Sequence, residues 1–242
     1  MPGERNLFVA SGQSPCFPET SLALEEPNGL LAVGGELNQE WLLKAYGQGI
    51  FPWYEADQPI LWWTPNPRLV LFPEKIHISK TLKKLIRQQP FQISADQCFT
   101  EVIKACAGPR HYADGTWITN DMQAAYIHLY EQGFAHSVEI WQDSNLVGGL
   151  YGIALGNVFY GESMFSHTNN SSKVAFVHLA KQLQLWQYKL IDCQVSSEHL
   201  LQFGTEEIPR EEFEEYLPAK TGQPYSPDLR WQSYSSRLDI CL

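Results

Sequence analysis

Residues 158–195 read VFYGESMFSHTNNSSKVAFVHLAKQLQLWQYKLIDCQV, a strand, a loop, a helix and a second strand in succession. Half of the first eight residues are aromatic or β-branched types that suit a half-buried pleated surface. A polar run, His167 to Lys173, opens the helix. Phe176, Leu179, Ala180 and Leu183 then repeat at i, i+3, i+4 and i+7, one face of a helix. Leu190 to Val195 returns to strand. Two features have no packing explanation. Glu162 stands in an apolar strand, where a lone carboxylate is costly to bury. Asp192 and Gln194 lie two apart, so regular alternation sends both side chains to one face.

Upstream, AHSVEIW (135–141), LVGGLYGIAL (146–155) and the two-residue turn Gly156-Asn157 join VFYGESMF in a three-stranded antiparallel meander. Phe99 to Ala107 and Asp121 to Gln132 read as helices, with a loop from Gly108 to Thr119 between them. Trp117 in that loop is open between a core anchor and a stacking surface. Downstream, Ser196 or Ser197 caps a short helix, His199 to Phe203, and EEFEEYL from Glu211 reads as another. The tail beyond Pro218 is irregular.

In the N-terminal part, Asn38 is a candidate cap for a helix, Gln39 to Tyr46, that ends near Gly47 and Gly49. Phe51, Trp53, Tyr54, Trp62 and Trp63 place five aromatics in thirteen residues. They suit either a small aromatic core or a platform on which bases stack. Trp63-Thr64-Pro65-Asn66-Pro67-Arg68 cannot continue a helix or a central strand. A domain junction is therefore expected here, with a small domain over 1–67 and a larger one over 68–242.

With 242 residues, 44% of them hydrophobic and 18% charged, the composition is that of a soluble globular protein. No apolar run reaches the roughly 18 residues that cross a bilayer, and no secretory leader is apparent at the start. The expected compartment is the cytoplasm. The five cysteines are odd in number, scattered and free of CxxC pairs, which argues against a disulfide framework and a structural zinc site. Seven histidines show no metal-binding spacing. The net charge of −10 argues against nucleic acid on average. Locally the balance inverts. In HISKTLKKLIRQ (77–88), Lys80, Lys83, Lys84 and Arg87 share a helical face opposite Ile78, Leu82, Leu85 and Ile86, with Ser79 as cap. That face is either simply solvated or a phosphate-binding ridge, and its lack of acids favours the ridge.

Several catalytic templates fail. Gly161-Glu162-Ser163-Met164-Phe165 lacks the last glycine of a nucleophile elbow. Alternation points Cys193 away from Asp192 and Gln194, as expected of an inert buried thiol. No phosphate loop or dinucleotide fingerprint occurs. The order meander, helix, strand, helix resembles the acyltransferase fold of the GNAT superfamily, so the fold class is α+β with a GNAT-like second domain. In that superfamily a glycine-rich loop before the helix usually holds the coenzyme A pyrophosphate. Ser166 to Ser172 has no glycine.

Several blocks together resemble the leucyl/phenylalanyl-tRNA–protein transferase family: EPNGLLAVGGEL (26–37), AYGQGIFPWY (45–54), PILWWTPNPR (59–68), GTWIT (115–119), HSVEIW (136–141), LVGGLYGIA (146–154), GESMFS (161–166) and LIDCQV (190–195). The resemblance implies transfer of Leu or Phe, with Met as a further donor, from aminoacyl-tRNA to the α-amine of proteins beginning with Arg or Lys. The product is a destabilised N-terminus in an N-degron pathway. It also implies no cofactor and no metal, because the tRNA ester is already activated; a monomer is expected. An α-amine of pKa about 7.7–8.0 is partly neutral near pH 7.

Residue by residue, the resemblance implies that Asp192 orients Gln194, whose side-chain oxygen accepts a hydrogen bond from the attacking amine. Glu162 would help to hold the reacting amino groups. Leu150, Phe159, Met164, Phe176, Leu179, Leu183 and Ile191 would form the donor side-chain pocket. Trp53 and Trp117 would sandwich the terminal adenosine, with Tyr46 nearby. Lys80, Lys83, Lys84 and Arg87 would follow the tRNA backbone. Two other classes compete: a coenzyme A-dependent N-acetyltransferase, which acetyl-CoA would stabilise, and a non-enzymatic tRNA-binding protein, under which the Asp-x-Gln pair has no purpose.

Overall fold

A computed structural model of the protein describes residues 7–12, 14–108, 118–223 and 225–234. The aromatic-rich N-terminal segment folds around a four-stranded sheet. Its strands are β1 (Phe8–Ala10), β2 (Leu30–Gly34), β3 (Phe51–Pro52) and β4 (Leu61–Trp63), in the order β1-β2-β4-β3. Helix α1 (Gln39–Gly47) connects β2 to β3. As expected, Asn38 caps it, Oδ1 accepting from the Trp41 amide at 3.0 Å. The core reading holds for Phe51, Tyr54 and Trp62, all buried. Trp62 stacks on buried Trp41 with centroids 6.2 Å apart, and Phe17 packs edge-on against both. Trp53 is the exception, 43% exposed.

The polar, proline-bearing segment 64–67 leads into a seven-stranded sheet. In chain order come β5 (Arg68–Leu71), α2 (Lys80–Arg87), β6 (Gln92–Ala95), α3 (Phe99–Ala107), α4 (Asn120–Glu131), β7 (Ala135–Gln142), β8 (Asn145–Leu155) and β9 (Val158–Ser166). Then follow α5 (Ser171–Leu185), β10 (Leu190–Gln194), α6 (Glu198–Leu201), β11 (Glu206–Ile208), α7 (Arg210–Glu214) and α8 (Pro218–Thr221). The sheet order is β11-β5-β10-β9-β8-β7-β6. The meander β7-β8-β9 forms as its alternation predicts, and α5 carries the chain to β10, parallel to β9. This is an α+β architecture in which the meander, the helix and the parallel strand follow one another in the predicted order.

Both faces of this sheet are covered. On one, α3, α4 and the N-terminal aromatics form a continuous core with Tyr151 and Tyr160. On the other, the apolar stripe of α5 packs with Leu82 of α2 and with Leu150, Phe159 and Ile191 of the sheet. In the described part of the tail, up to residue 234, α8 is followed by largely irregular chain, as expected, yet that chain packs onto the sheet. Trp231 is buried, stacked on His136 at 4.1 Å and close to Phe159 and Trp186.

Two irregularities in adjacent strands make room for a site. Across β8 and β9, Tyr151 opposes Ser163 and Gly152 opposes Gly161, so Glu162 is an extra residue, a β-bulge. Across β10 and β5, Asp192 opposes Val70 while Gln194 opposes Leu69, so Cys193 is a second extra residue. The β9–β10 pairing ends at Tyr160 and Asp192. Beyond that point the two parallel strands separate.

Candidate active site

A cavity of about 310 Å³ opens where β9 and β10 part. Leu150, Phe159, Met164, Phe176, Leu179 and Ile191 line it, together with Cys193 and Leu200. Six of the seven expected pocket residues are thus brought together; Leu183 is buried in the same core but does not line the cavity. Phe159 and Met164 are five apart, an odd spacing that sends side chains to opposite faces of a regular strand. The bulge at Glu162 resets the phase, and both reach the same cavity. Cys193 lies on the cavity wall rather than away from it. Burial pushes its thiol far above the ordinary range, which leaves it protonated and unreactive.

At the polar end stand Glu162 and Gln194, with Trp53 at the mouth. Glu162 is buried and receives three side-chain donors. Tyr46 donates to Oε1 at 2.7 Å, Tyr126 to Oε2 at 2.9 Å, and Gln194 Nε2 to Oε1 at 3.3 Å. Burial pushes the Glu162 carboxyl up to about 7, against the pull of the tyrosine hydrogen bonds, which lower it. The same burial, with the Glu162 charge alongside, raises both tyrosine hydroxyls well above their usual range.

The expected side-by-side contact of Asp192 with the Gln194 side chain is not formed. Asp192 Oδ1 accepts instead from the Gln194 main-chain N–H, at 2.9 Å. Gln194 has φ +64°, in the left-handed region, and that turn directs its amide to Glu162 while Asp192 points the other way. Asp192 faces Arg68, which donates from Nε to Oδ1 at 2.8 Å and from Nη2 to Oδ2 at 2.6 Å. Both residues are buried, and the guanidinium lies between the rings of Phe51 and Phe213, 4.8 and 4.6 Å from their centroids. With both oxygens occupied, Asp192 acts through position. Sequence reasoning singles out neither Arg68 nor Tyr126. The signal for Arg68 is a charge opening a strand of otherwise apolar residues; Tyr126 looks like ordinary helix core.

Tyr46 is also placed differently from the adenosine-side expectation. It is fully buried, its ring edge-on to Tyr160 at 5.1 Å, so it presents no open face to a base. Trp53 is half-exposed and braced by Trp63, whose Nε1 donates to the Trp53 carbonyl at 2.7 Å. Trp117 lies outside the described residues. Lys80, Lys83, Lys84 and Arg87 are all exposed along α2, away from the cavity, and Ser79 caps that helix as expected. At the start of α5, where a coenzyme loop would sit, Ser171 is wholly buried and donates to the Val147 carbonyl at 2.8 Å. A Cβ on Gly148 would overlap the Ser171 side chain, so β8 lies directly against the helix end. Among the described residues, no cluster of three or more His, Cys, Asp or Glu side chains could hold a metal ion. No described helix is long and apolar enough to cross a membrane.

Two family models match the chain. Residues 70–218 match the leucyl/phenylalanyl-tRNA protein transferase model and residues 35–66 match that family's N-terminal domain. Among similar proteins, the leucyl/phenylalanyl-tRNA–protein transferase of Cellvibrio japonicus is 54% identical over 215 residues, covering 89% of this chain and 92% of that protein. The one from Azotobacter vinelandii is 56% identical over 222 residues, covering 92% and 98%. Solved structures overlap more loosely. A GCN5-related N-acetyltransferase from Kribbella flavida superposes with a TM-score of 0.33 at 13% identity, covering 67% of this chain and 57% of that one. With a family model matching residues 70–218 and relatives above half identity over most of its length, the chain belongs to the leucyl/phenylalanyl-tRNA–protein transferase family.

Proposed function

We propose that the protein moves Leu or Phe, and less often Met, from aminoacyl-tRNA to the N-terminal α-amine of proteins that begin with Arg or Lys. The modified chains are then marked for N-degron proteolysis. The enzyme works in the cytoplasm as a monomer, with one unit over residues 1–67 and a catalytic unit from residue 68 onward.

One observation carries the proposal: an apolar cavity sized for a large side chain ends at a buried carboxylate and a glutamine amide, with an exposed tryptophan at its mouth. The donor side chain fills the cavity. Its ester then lies at the Glu162–Gln194 end, and the terminal adenosine reaches Trp53. With its Nε2 committed to Glu162, Gln194 offers its Oε1 to an N–H of the attacking amine. The Arg68–Asp192 pair holds the turn that aims it. Nucleophile and ester are both delivered by binding, so alignment supplies much of the rate. The basic face of α2 tracks the tRNA backbone.

The test is transfer of labelled leucine from Leu-tRNA to otherwise identical reporters beginning with Arg, Asp or Gly. Labelling confined to the Arg reporter is the expected result. Equal labelling of all three overturns the proposal.

A further inference from the structure

The cluster around Glu162 has one more hydrogen-bonding contact than its ionised form has hydrogens to fill. The two Glu162 oxygens and the hydroxyl oxygens of Tyr46 and Tyr126 form a closed circuit. Tyr46 lies 2.7 Å from Oε1, Tyr126 lies 2.9 Å from Oε2, and the two hydroxyls are themselves within hydrogen-bonding distance. The circuit has three links, and each requires one hydrogen. The tyrosines supply two; only a protonated Glu162 supplies the third. Then the ring closes head to tail: Glu162 donates to Tyr46, Tyr46 to Tyr126, and Tyr126 back to the other carboxylate oxygen. Both tyrosines are fully buried, so bulk solvent does not make good the missing hydrogen.

We propose, resting on the aminoacyl-transfer reading above, that Glu162 is the proton acceptor of the reaction and that Tyr46 and Tyr126 are positioning residues closing a hydrogen-bonded ring around the proton it takes up. The amine nitrogen attacks the ester carbonyl carbon, the new C–N bond forms, and the C–O bond to the tRNA 3′-oxygen breaks. The proton lost by nitrogen passes to Glu162, and Glu162 returns one to the departing 3′-oxygen, ending as it began. Reversing the three donors around the ring moves the proton from one carboxylate oxygen to the other. One oxygen can therefore receive while the other gives. A carboxyl that burial raises to about 7 suits this use, because both protonation states are populated near neutrality. The groups facing it are Tyr46 from α1, Tyr126 from α4 and Gln194 from β10, with Asp192 raising and Arg68 lowering the carboxyl from behind. Asp192 itself is closed to this role by Arg68.

The experiment measures single-turnover transfer to an Arg-initiated peptide across pH for wild type, Tyr126→Phe, Tyr46→Phe and Glu162→Gln. The acceptor amine titrates identically in all four, so differences belong to the enzyme. Each Phe variant takes one hydroxyl out of the ring and should shift the rising limb by about one pH unit, the worth of one hydrogen bond to a charged group. Glu162→Gln should lower the rate by about a hundredfold or more and leave only the limb of the amine. A wild-type enzyme that transfers, with both Phe variants keeping its limb or Glu162→Gln within a few-fold of it, overturns the proposal. A wild type that fails to transfer to any acceptor refutes the function instead. Independently of turnover, the infrared difference between wild type and Glu162→Gln near neutral pH should show a protonated-carboxyl C=O band that fades on raising the pH. Absence of that band also overturns the ring.

Discussion

Arg68 and Asp192 are a buried ion pair whose contribution is geometrical more than energetic. Desolvating two charges offsets most of their attraction, so such pairs add little net stability, but removing one partner strands the other. Arg68→Met should therefore destabilise the fold by about 3–5 kcal/mol. The double variant Arg68→Met/Asp192→Leu should recover most of that in urea denaturation, yet transfer no leucine, because nothing then anchors the Gln194 amide. Full activity in the double variant would show that the pair does not set the turn. At this scale the sequence is legible only in part. It exposes Glu162, Asp192 and Gln194 as polar anomalies. It does not reveal that Asp192 and Gln194 meet through a main-chain N–H, because a left-handed residue at the end of a strand leaves no mark in a Gln side chain. It does not reveal Tyr126 either, since a buried tyrosine at helical spacing reads as core whether or not its hydroxyl has a task.

Among the elements, the meander, α5 and α2 follow directly from periodicity, and the caps of α1 at Asn38 and of α2 at Ser79 from side-chain chemistry. The strands that escape are β1 to β4 of the N-terminal sheet and β5, β6 and β11 of the larger one, none longer than five residues. Segments so short carry no alternation to count; only pairing with a neighbour defines them. Helix α2 bears the clearest prediction at this level. It exposes four cations on a face free of acids, in a chain of net charge −10. Lys83→Glu/Lys84→Glu should weaken tRNA binding and flatten the dependence of log K on log salt by about 0.7–0.9 for each phosphate that the helix no longer neutralises. Unchanged binding would return the helix to an ordinary solvated face. The single-turnover rate with saturating tRNA should be unaffected, since α2 does not line the cavity.

The molecule as a whole assembles its site from both sheets. Tyr46 comes from α1, between strands of the four-stranded sheet, Tyr126, Glu162 and Gln194 from α4, β9 and β10, and Phe51 of β3 covers Arg68. Arg210 ties the junction further, its Nη1 donating to the Thr64 carbonyl at 2.8 Å and its N–H to Asn66 Oδ1 at 3.0 Å. The tail closes the far side by burying Trp231 against His136 and Phe159. Since Phe159 also lines the cavity, Trp231→Ala should cost about 3–5 kcal/mol of stability. It should also loosen selection among donor side chains, read as a smaller preference for leucine over valine. Loss of stability with unchanged preference would confine the tail to a structural role.

The bulge at Glu162 gives the strand a reading frame. Because Glu162 is supernumerary in the β8–β9 ladder, it lets Phe159 and Met164, an odd number of residues apart, share one face. Were Glu162 drawn into regular pairing, every residue beyond it would change sides, Met164 leaving the cavity and Phe165 turning into it from the opposite core. Deleting Glu162 would instead leave a regular strand with the same residues on each face, losing the kink and the carboxylate together. The carboxylate and the phase of the pocket wall thus hang on one residue staying out of the ladder.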